Sequence, residues 1–271
     1  MTLLTVQQLT IRDEWTDTTL VDAINFQVKR GETLGIIGES GSGKSITCKA
    51  LVGLNPSRLK VTGKVHFDGH NLLALSESQL RKYRGQAIAM VMQQGARAFD
   101  PSTKVGKQMI ETMQVHTSLS TPEIEQILID YMIYMNLTDP QNILASYPYM
   151  LSGGMLQRLM IALALALKPK LIIADEPTTA LDTINQFDVL EAFEDIKQHF
   201  DCAMVFISHD LTVIHKVADR VIVMKEGQLV EEGTTEAVLH HPHHRYTQYL
   251  LSTKQKVNDH FQRVMRGDSH D

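Results

Sequence analysis

Apolar and polar positions alternate from the start of the chain. Leu3 to Ile11 and Ala23 to Val28 each change side on a period of two, which predicts antiparallel strands with one face on a core. The turn Arg30-Gly31-Glu32 separates them from Thr33 to Ile37, a short apolar run that predicts a buried strand. Ser45 to Gly53 reads as a helix, and Val65 to Asp68 as a strand ending in a turn at Gly69. Between about Thr103 and Pro148 the texture changes. Strand runs stop, Ile124, Ile127, Leu128 and Tyr131 share one helical face, and Thr121-Pro122-Glu123 marks a helix start. The pattern predicts a helical lobe inserted at about residues 100–160. Beyond it, Leu171 to Ala174 and Ala203 to Ile207 predict buried strands of a parallel α/β sheet with a helix between them. Val221 to Met224 and Gln228 to Val230, split by Lys225-Glu226-Gly227, predict a hairpin. With no internal repeat or low-complexity linker, this reads as one unit over residues 1–252 and a polar tail over 253–271.

Composition narrows the classes of function. Charged residues at 21% and hydrophobic residues at 43% are ordinary for a soluble globular chain. A formal net charge of −5 gives no basic face for nucleic acid, so no nucleic-acid partner is expected. Cys48 and Cys202 form no CxxC pair, which fits a reducing compartment and no disulfide framework. Met1-Thr-Leu-Leu-Thr-Val lacks the basic start of a secretory signal. The longest apolar stretch, Leu159 to Leu167, halts at Lys168-Pro169, well short of the roughly 20 residues that span a bilayer. The chain is expected not to cross a membrane, though it can sit against one.

Two segments carry nucleotide chemistry. Gly38-Glu39-Ser40-Gly41-Ser42-Gly43-Lys44-Ser45 fits the pattern GxxxxGK[ST], with a strand before it and a helix after it. Glycines let successive backbone N–H groups converge on phosphates at a helix N-terminus. Lys44 then supplies a point charge to the β- and γ-phosphates, and the Ser45 hydroxyl goes to Mg²⁺. In Leu171-Ile-Ile-Ala-Asp175-Glu176-Pro177, four apolar residues form a buried strand and two carboxylates stand at its C-terminal end, where α/β sheets bind ligands. Asp175 is expected to hold Mg²⁺ and Glu176 to polarise the attacking water, which predicts hydrolysis of ATP and not binding alone.

A third segment, Leu151-Ser152-Gly153-Gly154-Met155-Leu156-Gln157-Arg158, resembles the signature sequence of ATP-binding cassette (ABC) ATPases. The resemblance covers about residues 3–252. It implies an α/β fold of the P-loop NTPase ABC-cassette type, with a RecA-like parallel core, an antiparallel β-subdomain and an inserted helical subdomain. It also implies that Gln93 reaches Mg²⁺, that Asp182 in Ala180-Leu181-Asp182 lies in a loop crossing a dimer interface, and that His209 contacts the γ-phosphate. Trp15 matches the aromatic that stacks on adenine. Ile46 stands where many cassettes have Thr, so any hydroxyl contact to the α-phosphate must come from Thr47 or be lost. Ser152, Gly153 and Gly154, opening a helix near Met155, resemble a second phosphate cradle serving the nucleotide of a partner subunit. Two cassettes then sandwich two ATPs head to tail.

The glycine loop, Asp175 to Asp182 and Pro242-His-His-Arg-Tyr246-Thr247 together look like the oligopeptide/dipeptide/nickel importer branch. That branch implies a second ATPase subunit, often a non-identical homologue, two transmembrane permease subunits and an extracytoplasmic solute-binding protein. It also implies a peripheral position on the cytoplasmic face of the cell membrane. No cysteine follows Cys202 and no long C-terminal extension follows the segment, so the chain looks most like importers of nickel or of metal–metallophore complexes of the staphylopine type. A peptide-importer ATPase stays open as the alternative, with a soluble non-transport ABC ATPase more remote. His240, His241, His243 and His244 crowd together, with His260 and His270 beyond; these read as part of the C-terminal segment and a solvated tail.

Overall fold

The chain begins with β1 (Thr2–Asp13), which reverses at a turn into β2 (Thr18–Lys29) and pairs with it antiparallel. In this structure, a computed structural model, residues 1–93, 95–178 and 183–253 are described. β3 (Thr33–Ile37) feeds the glycine loop, and α1 (Lys44–Leu51) leaves it. β4 (Leu59–Phe67) and the short β5 (His70–Asn71) complete an antiparallel sheet of order β2-β1-β4-β5. After α2 (Glu77–Leu80) and β6 (Ile88–Val91) come the lobe helices α3 (Val105–His116), α4 (Thr121–Tyr134) and α5 (Pro140–Ala145). α4 starts at the predicted signal. Ser120 and Glu123 form a capping box, with the Glu123 carboxylate accepting from the Ser120 N–H at 2.8 Å.

α6 (Gly153–Ala166) leads into β7 (Leu171–Asp175), then α7 (Thr183–His199), β8 (Ala203–Ile207) and α8 (Leu211–Val217). The expected lobe boundary near residue 160 falls inside α6, because that helix is apolar on enough sides to pack on both the lobe and the core. β9 (Arg220–Lys225) and β10 (Gln228–Thr234) form the predicted hairpin, and α9 (Thr235–His240) follows. Residues 245–253 are helical.

The second sheet has the order β10-β9-β3-β8-β7-β6, parallel throughout except for the β9–β10 hairpin. β3, β7 and β8 are buried at every position because both faces are covered. Along β8, Met204 and Phe206 enter the core beneath the helices, while Ala203, Val205 and Ile207 enter the core shared with α1 and the antiparallel sheet. In β7, Ile172 and Ala174 take the first side and Leu171 and Ile173 the second. A one-residue slip of either strand would exchange the two sets. Cys48 and Cys202 are free and buried, and burial pushes the Cys202 thiol up to about 12.

Candidate nucleotide site

The glycine loop is braced from two sides. Gly38 has φ +154, and a Cβ there would stand 2.2 Å from the Met224 carbonyl oxygen of β9. Gly43, the N-cap of α1 at φ +99, lies against β2, where a Cβ would stand 3.0 Å from Val21 Cγ2. The hairpin turn ties the two braces together: Gly227 N–H donates to the Ser42 carbonyl at 3.1 Å, and Asp22 N–H donates to the Gly227 carbonyl at 2.9 Å. Lys44 is 6% exposed, and its ammonium donates to the carbonyls of Gly38 and Glu39 at 3.0 and 2.8 Å. The cation therefore lies along the loop that it is expected to serve. Ser42 Oγ is buried with no hydrogen-bond partner, an atom left ready for a polar ligand.

β3 and β7 flank β8, so the glycine loop and Asp175 open at neighbouring strand ends. Ser45 Oγ donates to Asp175 Oδ1 at 2.8 Å. Burial raises the Asp175 carboxyl above the usual carboxylate range, and the Ser45 hydrogen bond opposes that rise without cancelling it. A hydroxyl and a carboxylate side by side, both hard oxygen donors with the charge partly desolvated, fit a Mg²⁺ ion. Glu176 follows at φ +47, outside the regions a non-glycine residue favours, and its N–H donates to the Ile207 carbonyl at 3.0 Å. Gln93 Nε2 donates to Glu176 Oε2 at 3.0 Å, and His209 Nδ1 lies 3.4 Å from the same oxygen. Two side chains from separate loops thus converge on one carboxylate.

Ser152 caps α6, its Oγ accepting from the Met155 N–H at 3.2 Å. The helix consequently begins at Gly153, two residues earlier than expected, and a Cβ on Gly153 would meet nothing within 4 Å. Ser152 and Gly153 are exposed, whereas Gly154 and Leu156 are buried. Trp15 is 79% exposed on the β1–β2 turn, with the Arg58 guanidinium 5.3 Å from its ring centroid. Thr47 is wholly enclosed on the buried face of α1 and its Oγ1 has no partner, so the hydroxyl expected to reach the α-phosphate points into the protein. Ile46, beside it, is half-buried against the core. Ser40 and Gly41 are on the loop's open side. Asp182, with Ala180 and Leu181, lies outside the described residues.

Two contacts were not legible as functional from the sequence. Gln157, 2% exposed in a mostly apolar helix, accepts from the Gly95 N–H at 2.7 Å and donates to the Met92 carbonyl at 3.1 Å. It fixes the loop that carries Gln93, and the signal was a lone amide among buried apolar residues. Tyr246 Oη accepts from the Glu39 N–H at 3.1 Å, which docks the C-terminal segment on the glycine loop. The sequence signal was the Pro242-to-Thr247 segment that carries this aromatic, which the fold buries.

A family model described as ABC transporter matches residues 21–179. The chain belongs to the ABC transporter family. As an ABC ATPase it hydrolyses ATP in a transporter motor. It is 76% identical over 271 residues to the metal-staphylopine import system ATP-binding protein CntD of Staphylococcus aureus, covering 100% of both chains. It is 42% identical over 255 residues to the dipeptide transport ATP-binding protein DppD of Escherichia coli, covering 93% of this chain and 78% of that one. Among solved structures, the dimeric post-hydrolysis state of the ATP-binding cassette MJ0796 bound to ADP and Pi matches this ABC ATPase with a TM-score of 0.77 at 26% identity. That match covers 86% of this chain and 99% of the other. No helix among the described residues is long and apolar enough to cross a membrane.

Proposed function

We propose that this ABC ATPase is the motor of an importer that takes up metal–metallophore complexes. The observation that carries the reading is the 76% identity to CntD over the full length of both chains. In this reading the chain works on the cytoplasmic face of the membrane, with a second, non-identical ATPase subunit, two permease subunits and an extracytoplasmic solute-binding protein. Nickel and cobalt are natural members of the cargo class.

The glycine loop from Gly38 to Gly43 takes the phosphates, Lys44 moves from its loop carbonyls to the β- and γ-phosphates, and Trp15 stacks on the base. Ser45, Asp175 and Gln93 would hold Mg²⁺, which when bound neutralises phosphate charge. Glu176 accepts a proton as water attacks the γ-phosphorus; the bond from that phosphorus to the bridging oxygen breaks, and ADP and phosphate form. His209 holds Glu176 and the γ-phosphate in register. Ser152, Gly153 and Gly154 face the nucleotide of the opposing subunit, and Asp182 serves the same interface, so closure of the pair completes each site.

The test is ATP hydrolysis by the complex reconstituted with its permeases and binding protein, given either metal–chelate cargo or a short-peptide mixture. Stimulation by the chelate and not by peptides is expected. Stimulation by peptides alone would overturn the cargo assignment and place the chain beside DppD.

A further inference from the structure

The histidines that crowd together in the sequence part company in the fold. His243 and His244 turn their backbone N–H groups to the Glu231 carboxylate at 2.7 and 3.2 Å. His240 instead meets His215 of α8, the two rings edge to face with centroids 5.5 Å apart. Glu236, one turn before His240 on α9, places Oε2 3.7 Å from His240 Nε2. One ligand atom from each of His215, Glu236 and His240 lies within 4.8 Å of the other two. All three side chains are exposed, so an ion has a free approach.

We propose that His215, Glu236 and His240 form a site for a divalent transition-metal ion that bridges α8 and α9. Two imidazoles and one carboxylate are the donor set of zinc, nickel and cobalt sites, and nitrogen donors turn it away from magnesium and calcium. Ligands about 2.0–2.1 Å from a tetrahedral metal stand about 3.4 Å apart, so the side chains need to draw in by little more than an ångström. Exposed rotamers allow that. The scaffold does not need to move. Thr235 Oγ1 donates to the Ala218 carbonyl at 2.6 Å in a buried contact, and Thr235 N–H donates to Asp219 at 3.1 Å, which sets the start of α9 against the end of α8. Val213, Val217 and Val238 are buried in the same core cluster, which anchors both helices. The ligands are therefore held in place by the core and not by one another. Three protein ligands leave open positions for water, the arrangement of an exchangeable ion.

The position gives the ion a reach beyond its own helices. α8 starts at its cap Asp210, directly after His209, and α9 leads through Pro242 to Tyr246 on the glycine loop. The inference concerns an ion bound to this chain itself and stands whether the imported cargo is a chelate or a peptide.

The test uses the purified full chain without nucleotide. Zinc binding is read by competition with a chromophoric chelator, and cobalt by the intensity of its visible bands, for wild type, His215→Ala, His240→Ala and a His243→Ala/His244→Ala control. We expect wild type and control to bind alike, and each single variant to lose about tenfold or more in affinity. Zinc should raise the melting temperature of wild type and not of the single variants. A melting temperature equal to that of wild type in the absence of added zinc would certify the fold of His215→Ala and His240→Ala. Equal affinity in wild type and both single variants, or no binding by wild type at large molar excess of zinc, would overturn the site and leave an ordinary helix ion pair.

Discussion

The hydroxyl of Tyr246 accepts a hydrogen bond from the Glu39 N–H at 3.1 Å, joining residues 207 positions apart. Burial keeps the phenol above its ordinary pKa and therefore neutral, and Lys225 Nζ lies 5.4 Å from the centre of its ring. A backbone donor in the glycine loop is thereby held by the C-terminal segment.

Tyr246→Phe removes that acceptor while keeping the ring. A neutral hydrogen bond contributes about 0.5–1.5 kcal/mol, so ATP affinity should fall by about two- to tenfold. The KM for ATP and direct titration with a fluorescent nucleotide should move together, with kcat changed less. An unchanged affinity would detach the segment from nucleotide binding.

Glu176→Gln keeps the acceptor for Gln93 and removes the base. Nucleotide binding should persist, hydrolysis should slow by about 10²–10⁴-fold, and the ATP-bound pair should accumulate as a closed dimer on size exclusion. Near-normal turnover would take Glu176 out of the chemistry.

Gln157→Leu leaves the Gly95 N–H and the Met92 carbonyl without their partner. Each unsatisfied buried group costs about 1–3 kcal/mol. For a chain of this size each kcal/mol lowers the melting temperature by about 2–4 °C. Hydrolysis should fall as well, because Gln93 rides on the freed loop.

Asp175→Asn should give a more stable but inactive protein. Burial raises the folded-state pKa of Asp175 above its unfolded value, so the fold favours the protonated acid. The cost of the ionised form is full above the folded pKa, shrinks as pH falls, and is gone below the unfolded value near 3.9. The neutral amide escapes that cost. Melting curves of the variant and wild type should separate at neutral pH and converge on acidification. Equal stability at neutral pH would mean that the carboxylate is already compensated without a metal ion.

The strands of the parallel sheet were legible because both faces are covered, which leaves a continuous apolar run such as Leu171 to Ala174, too short to read as a helix. The glycine loop was legible for a different reason: its backbone φ values at Gly38, Gly41 and Gly43 allow few other residues, so the pattern survives as spelling. The gathering of Gln93 and His209 on Glu176 was reachable only through a family resemblance. Nothing local in either residue encodes a partner brought in by another strand. Gln157 and Tyr246 stayed hidden because their partners are backbone groups, which any sequence supplies. The burial of Thr47 follows from helix phase, which a hydroxyl's place in the sequence does not reveal by itself. The metal cluster joins His215 to α9 through packing that spacing along the chain cannot express.

α6 is a stiff rod that carries Ser152 on its tip and Gln157 about 7.5 Å along its axis. Gln157 grips the stretch from Met92 to Gly95 at both ends. A tilt of this rod that moves the serine also moves Gln157 and with it the stretch that carries Gln93, and a pull on that stretch moves the serine. In the proposed importer the helix would work as a gear between the two, so that a push on the lobe is felt at the chain's own carboxylate and at its outer rim in the same stroke.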